Sequence, residues 1–147
     1  GQVTVLDGKD VSSEIRKPEI SMLASTVSAH KCVRLKMVEM QRKIAASMDC
    51  VLDGREIGSF VLPNAKYKFF VTAKPEIRAE RRYKELIARG NDVNYEELLK
   101  EIKQRDYNDS HREFAPLVQT ADAVYIDTSD MTIDEVVAKV ICVVKGE

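Results

Sequence analysis

The chain has 147 residues, 44% of them apolar and 32% charged, with a formal net charge of −1. That length supports one domain with a real core, and that apolar share excludes a disordered chain. A pI near 6.2 argues against bulk binding to nucleic acid, and with no apolar run of about 18 residues no membrane span is expected.

In chain order, Val3–Leu6 running into Asp7-Gly8 predicts a strand entering a tight turn. Ser12 and Ser13 are N-cap candidates ahead of Pro18–Ala29, where Ile20, Leu23, Ala24 and Val27 recur at helical spacing. His30-Lys31 reads as a break, and Val33–Met48 as a second helix with Leu35, Val38 and Ile44 on or near one face. Cys50-Val51-Leu52 is a short apolar run that ends at Asp53-Gly54-Arg55, a predicted strand followed by a loop. Tyr67–Ala73 carries the strongest strand pattern. Lys74-Pro75-Glu76 opens a helix to Arg89 that Gly90 stops, with proline in the first turn and glycine just past the end. Tyr95–Arg105 predicts another helix and Ala123–Asp127 a buried strand, and Thr132 caps a last amphipathic helix through Val144 that Gly146 closes.

The second half therefore alternates strand, helix, helix, strand, helix, which predicts an α/β layer around a parallel sheet. Residues 1–48 form a different unit, expected as an inserted lobe, and residues 49–147 the α/β core domain. The three cysteines, Cys32, Cys50 and Cys142, are odd in number and widely spaced, so they predict free, buried thiols in a reducing cytosol and no zinc site. His30 and His111 have no acid/base or metal partner in sequence and are expected at the surface.

All ten arginines lie between Arg16 and Arg112, and the last 35 residues hold only Lys139 and Lys145 as bases. A guanidinium is a planar fork that grips phosphate at two points, so this asymmetry fits a small anionic ligand better than a polyanion. Arg105, Asp109 and Arg112 stand at i, i+4 and i+7, one stripe of a helix, where two guanidinia flank a carboxylate and can hold a phosphate and a hydroxyl together. Arg78, Arg81 and Arg82 share a helical face, and a bound polyphosphate would relieve their mutual repulsion. Both patterns are more often the signature of a solvated helix face. Asp53, Arg55 and Glu56 follow an apolar run, and in open α/β sheets ligands bind beyond the carboxyl ends of strands, although an ordinary polar turn has the same composition. No Gly-x-x-x-x-Gly-Lys-[Ser/Thr] loop occurs in the sequence.

Four phrases, DGKDVSSEIRKPEIS, VLDGREIGSFVLPNA, ERRYKELIARG and EIKQRDYNDSHREFAPL, run in order along the chain and together resemble bacterial cytidylate kinases from about Gly8 to the C-terminus. The resemblance implies a P-loop nucleoside-monophosphate-kinase fold: a parallel sheet in the order 2-3-1-4-5 with flanking helices, a monophosphate-binding insertion in residues 1–48, and a mobile lid at about residues 89–112. Val51–Leu52 would be strand three, Lys68–Thr72 strand four and Val124–Ile126 strand five. It implies transfer of the ATP γ-phosphoryl group to CMP, and to dCMP, with Mg²⁺ carried on ATP. Residue by residue, Ser25, Arg34 and Glu56 would read the cytosine ring, Arg55 and Arg112 would bind the CMP phosphate, and Arg105 with Asp109 the ribose. Arg78, Arg81 or Arg82, with Arg105, would approach the ATP phosphates as the lid closes. Glu56 stands where the family has Asp, one methylene longer, which shifts its hydrogen bond to the base.

The strand–P-loop–helix unit of that fold is missing from these residues, so the chain by itself is expected to be inactive. The expectation is that Gly1 is not the natural start and that roughly 80 residues precede it, from the usual size of such a unit. The implied partners are small nucleotides, with no nucleic acid and no membrane, for a monomer in the cytoplasm. Two alternatives stand beside this reading: a kinase for another pyrimidine monophosphate such as UMP, and a catalytically dead nucleotide-binding or regulatory module.

Overall fold

A computed structural model describes residues 3–146; the side chains at 18, 19, 21, 22, 25 and 29 lie outside what it describes. The chain divides into two compact units, Gly1–Cys50 and Val51–Glu147.

In the first unit, strands β1 (Val5–Leu6) and β2 (Lys9–Asp10) form an antiparallel hairpin. The turn between them needs left-handed backbone at two successive residues, Asp7 at φ 49° and Gly8 at φ 79°, which the Asp-Gly pair tolerates. A 3₁₀ turn at Glu14–Arg16 leads to helices α1 (Pro18–Ala29) and α2 (Lys31–Ser47), which pack on each other. His30 breaks them apart in extended backbone. Val38 is buried on α2, whereas Leu35 and Ile44 are close to half exposed.

The second unit is α/β. Strand β3 (Phe69–Thr72), helices α3 (Pro75–Ala88) and α4 (Tyr95–His111), strand β4 (Val124–Asp127) and helix α5 (Ile133–Lys145) follow in order. β3 and β4 pair in parallel, Phe69 opposite Val124 through Thr72 opposite Asp127, so the two-helix excursion is the crossover that a parallel pair requires. α3 and α4 pack side by side, with Tyr83 and Tyr95 edge to face at 6.0 Å. Val61, Ala79 and Ile126 are almost fully buried. Asn94 caps α4 by accepting from the amides of Glu96 and Glu97. Thr132 and Glu135 form a reciprocal capping box on α5, and Gly146 ends that helix at φ 75°.

Three expectations change. The strand at Val51–Leu52 does not form: among the described residues no strand lies beside it, and Val51 is 98% exposed. An extended segment becomes a strand only when a neighbour satisfies its N–H and C=O groups. α4 runs on from Arg105 to His111, because no glycine or proline interrupts it, and Gln104 and Asn108 bond one turn apart at 2.9 Å. All three cysteines are exposed, not buried. Both histidines are exposed, and His111 stacks on Tyr107 at 4.0 Å. Among the described residues no helix is long and apolar enough to cross a membrane.

Candidate functional site

The site grows from the loop after Leu52. Gly54 permits a tight approach there: a Cβ on it would meet Ile57 Cγ1 at 2.9 Å. The chain then coils into a π-helical turn at Ile57–Val61, in which the carbonyl of Glu56 accepts from the amides of both Phe60 and Val61. These two features set the side chains of Arg55 and Glu56 at the start of the turn.

The last turn of α4 supplies the other half. Arg55 Nε donates to Asp109 Oδ2 at 2.9 Å, and Arg112 Nη2 donates to Glu56 Oε2 at 2.9 Å. Arg112 Nη1 lies 3.7 Å from Asp109 Oδ1, and Arg105 Nε 3.9 Å from Asp109 Oδ2. Asp109, Glu56 and Arg112 are only 16–20% exposed as side chains, while Arg55 is at 40% and Arg105 at 70%. Three guanidinia against two carboxylates leave this cluster one positive charge, at a place where partial burial strengthens each pairing. Arg112 leaves the helix as its C-cap, and its Nε donates to the carbonyl of Ala115 at 2.6 Å. Ala115 sits at φ 49°, a strained conformation for a residue with a Cβ, held by that bond and by Leu117 N donating to Asp109 O at 2.7 Å. Phe114 meets Phe60 edge to face at 5.0 Å, so an aromatic pair joins the segment after Arg112 to the turn after Glu56.

The arginines of α3 behave differently. Arg78 grips both oxygens of the Asp106 carboxylate and donates from Nε to Ala73 O at 2.9 Å. The bonds to Asp106 outweigh burial and raise the Arg78 pKa. Arg81 donates to the carbonyl of Thr128 at 2.6 Å, and Arg82 pairs with Glu85 at 2.7 Å along its own helix. Arg55, Glu56, Arg105, Asp109 and Arg112 thus come together, and Arg78 joins α4 one residue from Arg105. Arg81 and Arg82 face other partners. Arg34, on α2 in the other unit, donates to Ser28 O at 3.1 Å. Ser25 lies on α1, and its side chain is outside the described ones.

Sequence reasoning missed Asp106, Phe60 and Phe114. Asp106 precedes Asp109 by three residues in the RDYNDSHRE segment and was open to notice as a second carboxylate on that face. Nothing local marks the two phenylalanines as partners. Among the described residues no cluster of three or more His, Cys, Asp or Glu could hold a metal ion. A shallow surface hollow on α4, lined by Leu99, Lys103 and Tyr107 among others, contains none of the cluster residues.

A cytidylate kinase family model matches residues 2–146. The cytidylate kinase of Caldicellulosiruptor bescii is 51% identical over 140 residues, 95% of this chain and 62% of that protein. That of Caldanaerobacter subterraneus subsp. tengcongensis is 53% identical over 140 residues, with the same 95% and 62% coverage. That of Fervidobacterium nodosum is 47% identical over 145 residues, 99% of this chain and 66% of the relative. The chain therefore spans about two thirds or less of the length of these relatives. Residues that converge on Asp109 from separate segments, inside a match running almost from end to end, lead to one assignment: the chain belongs to the cytidylate kinase family.

Proposed function

We propose that the protein transfers the ATP γ-phosphoryl group to CMP and dCMP, on a P-loop nucleoside-monophosphate-kinase fold to which this chain contributes the β3–β4 pair and its helices. The observation that carries this reading is the convergence of Arg55, Arg105 and Arg112 on Asp109, with Arg112 also holding Glu56. Arg55 and Arg112 are assigned to the CMP phosphate, because guanidinium forks match a phosphate at two points. Asp109, an acceptor, takes the ribose hydroxyls together with Arg105. Glu56 accepts from the exocyclic amine of cytosine, where uracil would offer a carbonyl and meet repulsion. Ser25 and Arg34 are assigned to the same base on the family resemblance alone.

Phosphoryl transfer asks the protein for in-line positioning and for neutralisation of charge on the moving group. The carboxylates of Asp109 and Glu56 already order the guanidinia, so binding phosphate exchanges one anionic partner for another. Arg105, the most exposed of the three, is assigned with Arg78 and Arg82 to the transferring phosphoryl group as the lid at residues 89–112 closes and expels water. Residues 1–48 are the proposed CMP-binding insertion and 49–147 the core. The chain's own described side chains do not form a Mg²⁺ site, and no step here is assigned to the metal. The protein is proposed to act on small nucleotides as a cytoplasmic monomer.

Assayed with ATP, the intact protein should use CMP and dCMP at least about tenfold more efficiently than UMP, the discrimination of a base-edge hydrogen bond. Equal efficiency with UMP would overturn the role of Glu56. Glu56→Asp should keep activity within about threefold and leave the cytosine preference equal or sharper, as a one-methylene change in one contact; complete loss would mean the cluster geometry is misassigned.

A further inference from the structure

Lys68 is the only charged residue of the described ones that is buried, with a side chain 7% exposed. A lysine survives in such a place only when its ammonium is paired. Its Nζ donates to the carbonyl of Pro63 and to Asp122 Oδ2. Its aliphatic stem lies over Gly58, where an added Cβ would meet Lys68 Cδ at 3.3 Å. Its own carbonyl accepts from Val124 N at 2.9 Å and so begins the β3–β4 ladder. One residue therefore touches the start of the π turn, the start of the loop that follows it, the segment before β4, and the sheet.

The chain it ties down is the continuation of Arg55 and Glu56. The π turn hangs from the Glu56 carbonyl at one end, and Lys68 grips Pro63 at the other. Among the described residues no strand pairs with residues 57–63, so side chains must hold this segment to the sheet. Phe60, within it, carries the aromatic contact to Phe114 beside Arg112.

We propose that Lys68 is a positioning residue for the nucleotide site: it locks the 57–63 turn onto the sheet and thereby sets where Arg55 and Glu56 meet Asp109 and Arg112. This rests on the cytidylate-kinase reading. A lysine that merely stabilised the fold would affect how much protein is active, and not how active protein holds CMP or tells it from UMP.

The test uses the intact protein with Lys68→Met, which keeps the stem and removes the ammonium, Lys68→Arg, and the milder Asp122→Asn in case Lys68→Met fails to fold. Amide exchange and steady-state kinetics are read together. In Lys68→Met, exchange at Phe60, Val61 and Leu62 should accelerate about tenfold while Thr128, whose amide donates to Thr72 O just past β4, is unchanged. KM for CMP should rise about fivefold with kcat within about twofold, and the CMP-over-UMP preference should fall. Asp122→Asn should move both readouts the same way by less, and Lys68→Arg should recover most of the loss. Faster exchange at 60–62 with unaltered KM and preference would reduce Lys68 to a structural residue and overturn the proposal, as would unaltered exchange. A wild type that turns over no pyrimidine monophosphate, with the exchange effects intact, would refute the function and leave the clamp standing, so the two failures are distinguishable.

Discussion

Two groups of arginines in this molecule arise from the same sequence signal and meet opposite fates. Arg78, Arg81 and Arg82 share a face of α3, yet each binds elsewhere: Arg78 to Asp106 on α4, Arg81 to the carbonyl of Thr128 after β4, Arg82 to Glu85 on its own helix. Arg105 and Arg112, seven residues apart on and at the end of α4, converge with the distant Arg55 on the single carboxylate of Asp109. The difference lies in what faces the helix. α4 ends against a loop that brings its own guanidinium and its own carboxylate, so charges of both signs interlock. α3 meets a helix and a strand end, and its cations are absorbed singly as anchors. Helical spacing of arginines marks a charged face; convergence requires a second segment with complementary charge.

The largest expected effect breaks the converging group. Arg112→Ala removes a charge-assisted contact of about 1.5–3 kcal/mol and should lower kcat/KM for CMP by about 10- to 150-fold; a change below about twofold would return Arg112 to the status of a surface residue. Arg82→Ala probes whether the α3 row takes part in chemistry. If Arg82 reaches the transferring phosphoryl group, kcat should fall about tenfold or more at an unchanged KM for CMP. Parity with wild type would confine Arg82 to its pair with Glu85.

Asp106→Asn sharpens the contrast from the other side. It weakens a two-point ion pair between helices that is about one third exposed, and should cost about 1 kcal/mol of stability in urea unfolding, with KM for CMP unchanged. A large KM effect would mean that the α3 anchor and the Asp109 cluster work as one unit. The smallest effect is in acid. Ser129 donates its hydroxyl and its amide to Asp127 and accepts from Lys74 N, the N-cap of α3. The bonds from Ser129 hold the Asp127 carboxyl below its ordinary 3.8. A depressed folded pKa gives stability that is present above the unfolded value and lost as pH falls through the folded one. Removing the hydroxyl with Ser129→Ala should therefore flatten the loss of stability below about pH 4, measured as urea midpoints against pH. An unaltered acid slope would leave this α3 anchor without an electrostatic component.

Much of this was readable in advance where the causes are local. The Asp-Gly hairpin turn, the Pro75 opening and Gly90 ending of α3, and the Thr132 capping box all follow from backbone preferences of a few adjacent residues. Misreadings fall where a neighbour decides. Val51-Leu52 has the composition of a strand and stays unpaired, and the cysteines, expected inside, lie at the surface. Lys68 lies within the YKFFVTA strand pattern, where nothing local marks it for burial, and its role is visible only with Pro63 and Asp122 beside it.

By itself, the sequence determined the helices and the two paired strands of the second unit, its α/β character, and the residue types that could grip a nucleotide, because periodicity, capping and side-chain chemistry act over a turn or two of chain. Tertiary structure alone decided which arginines share a carboxylate and which lysine is buried. Those outcomes depend on segments more than fifty residues apart, Arg55 with Asp109 and Lys68 with Asp122, brought within hydrogen-bond reach, and no local preference encodes that distance.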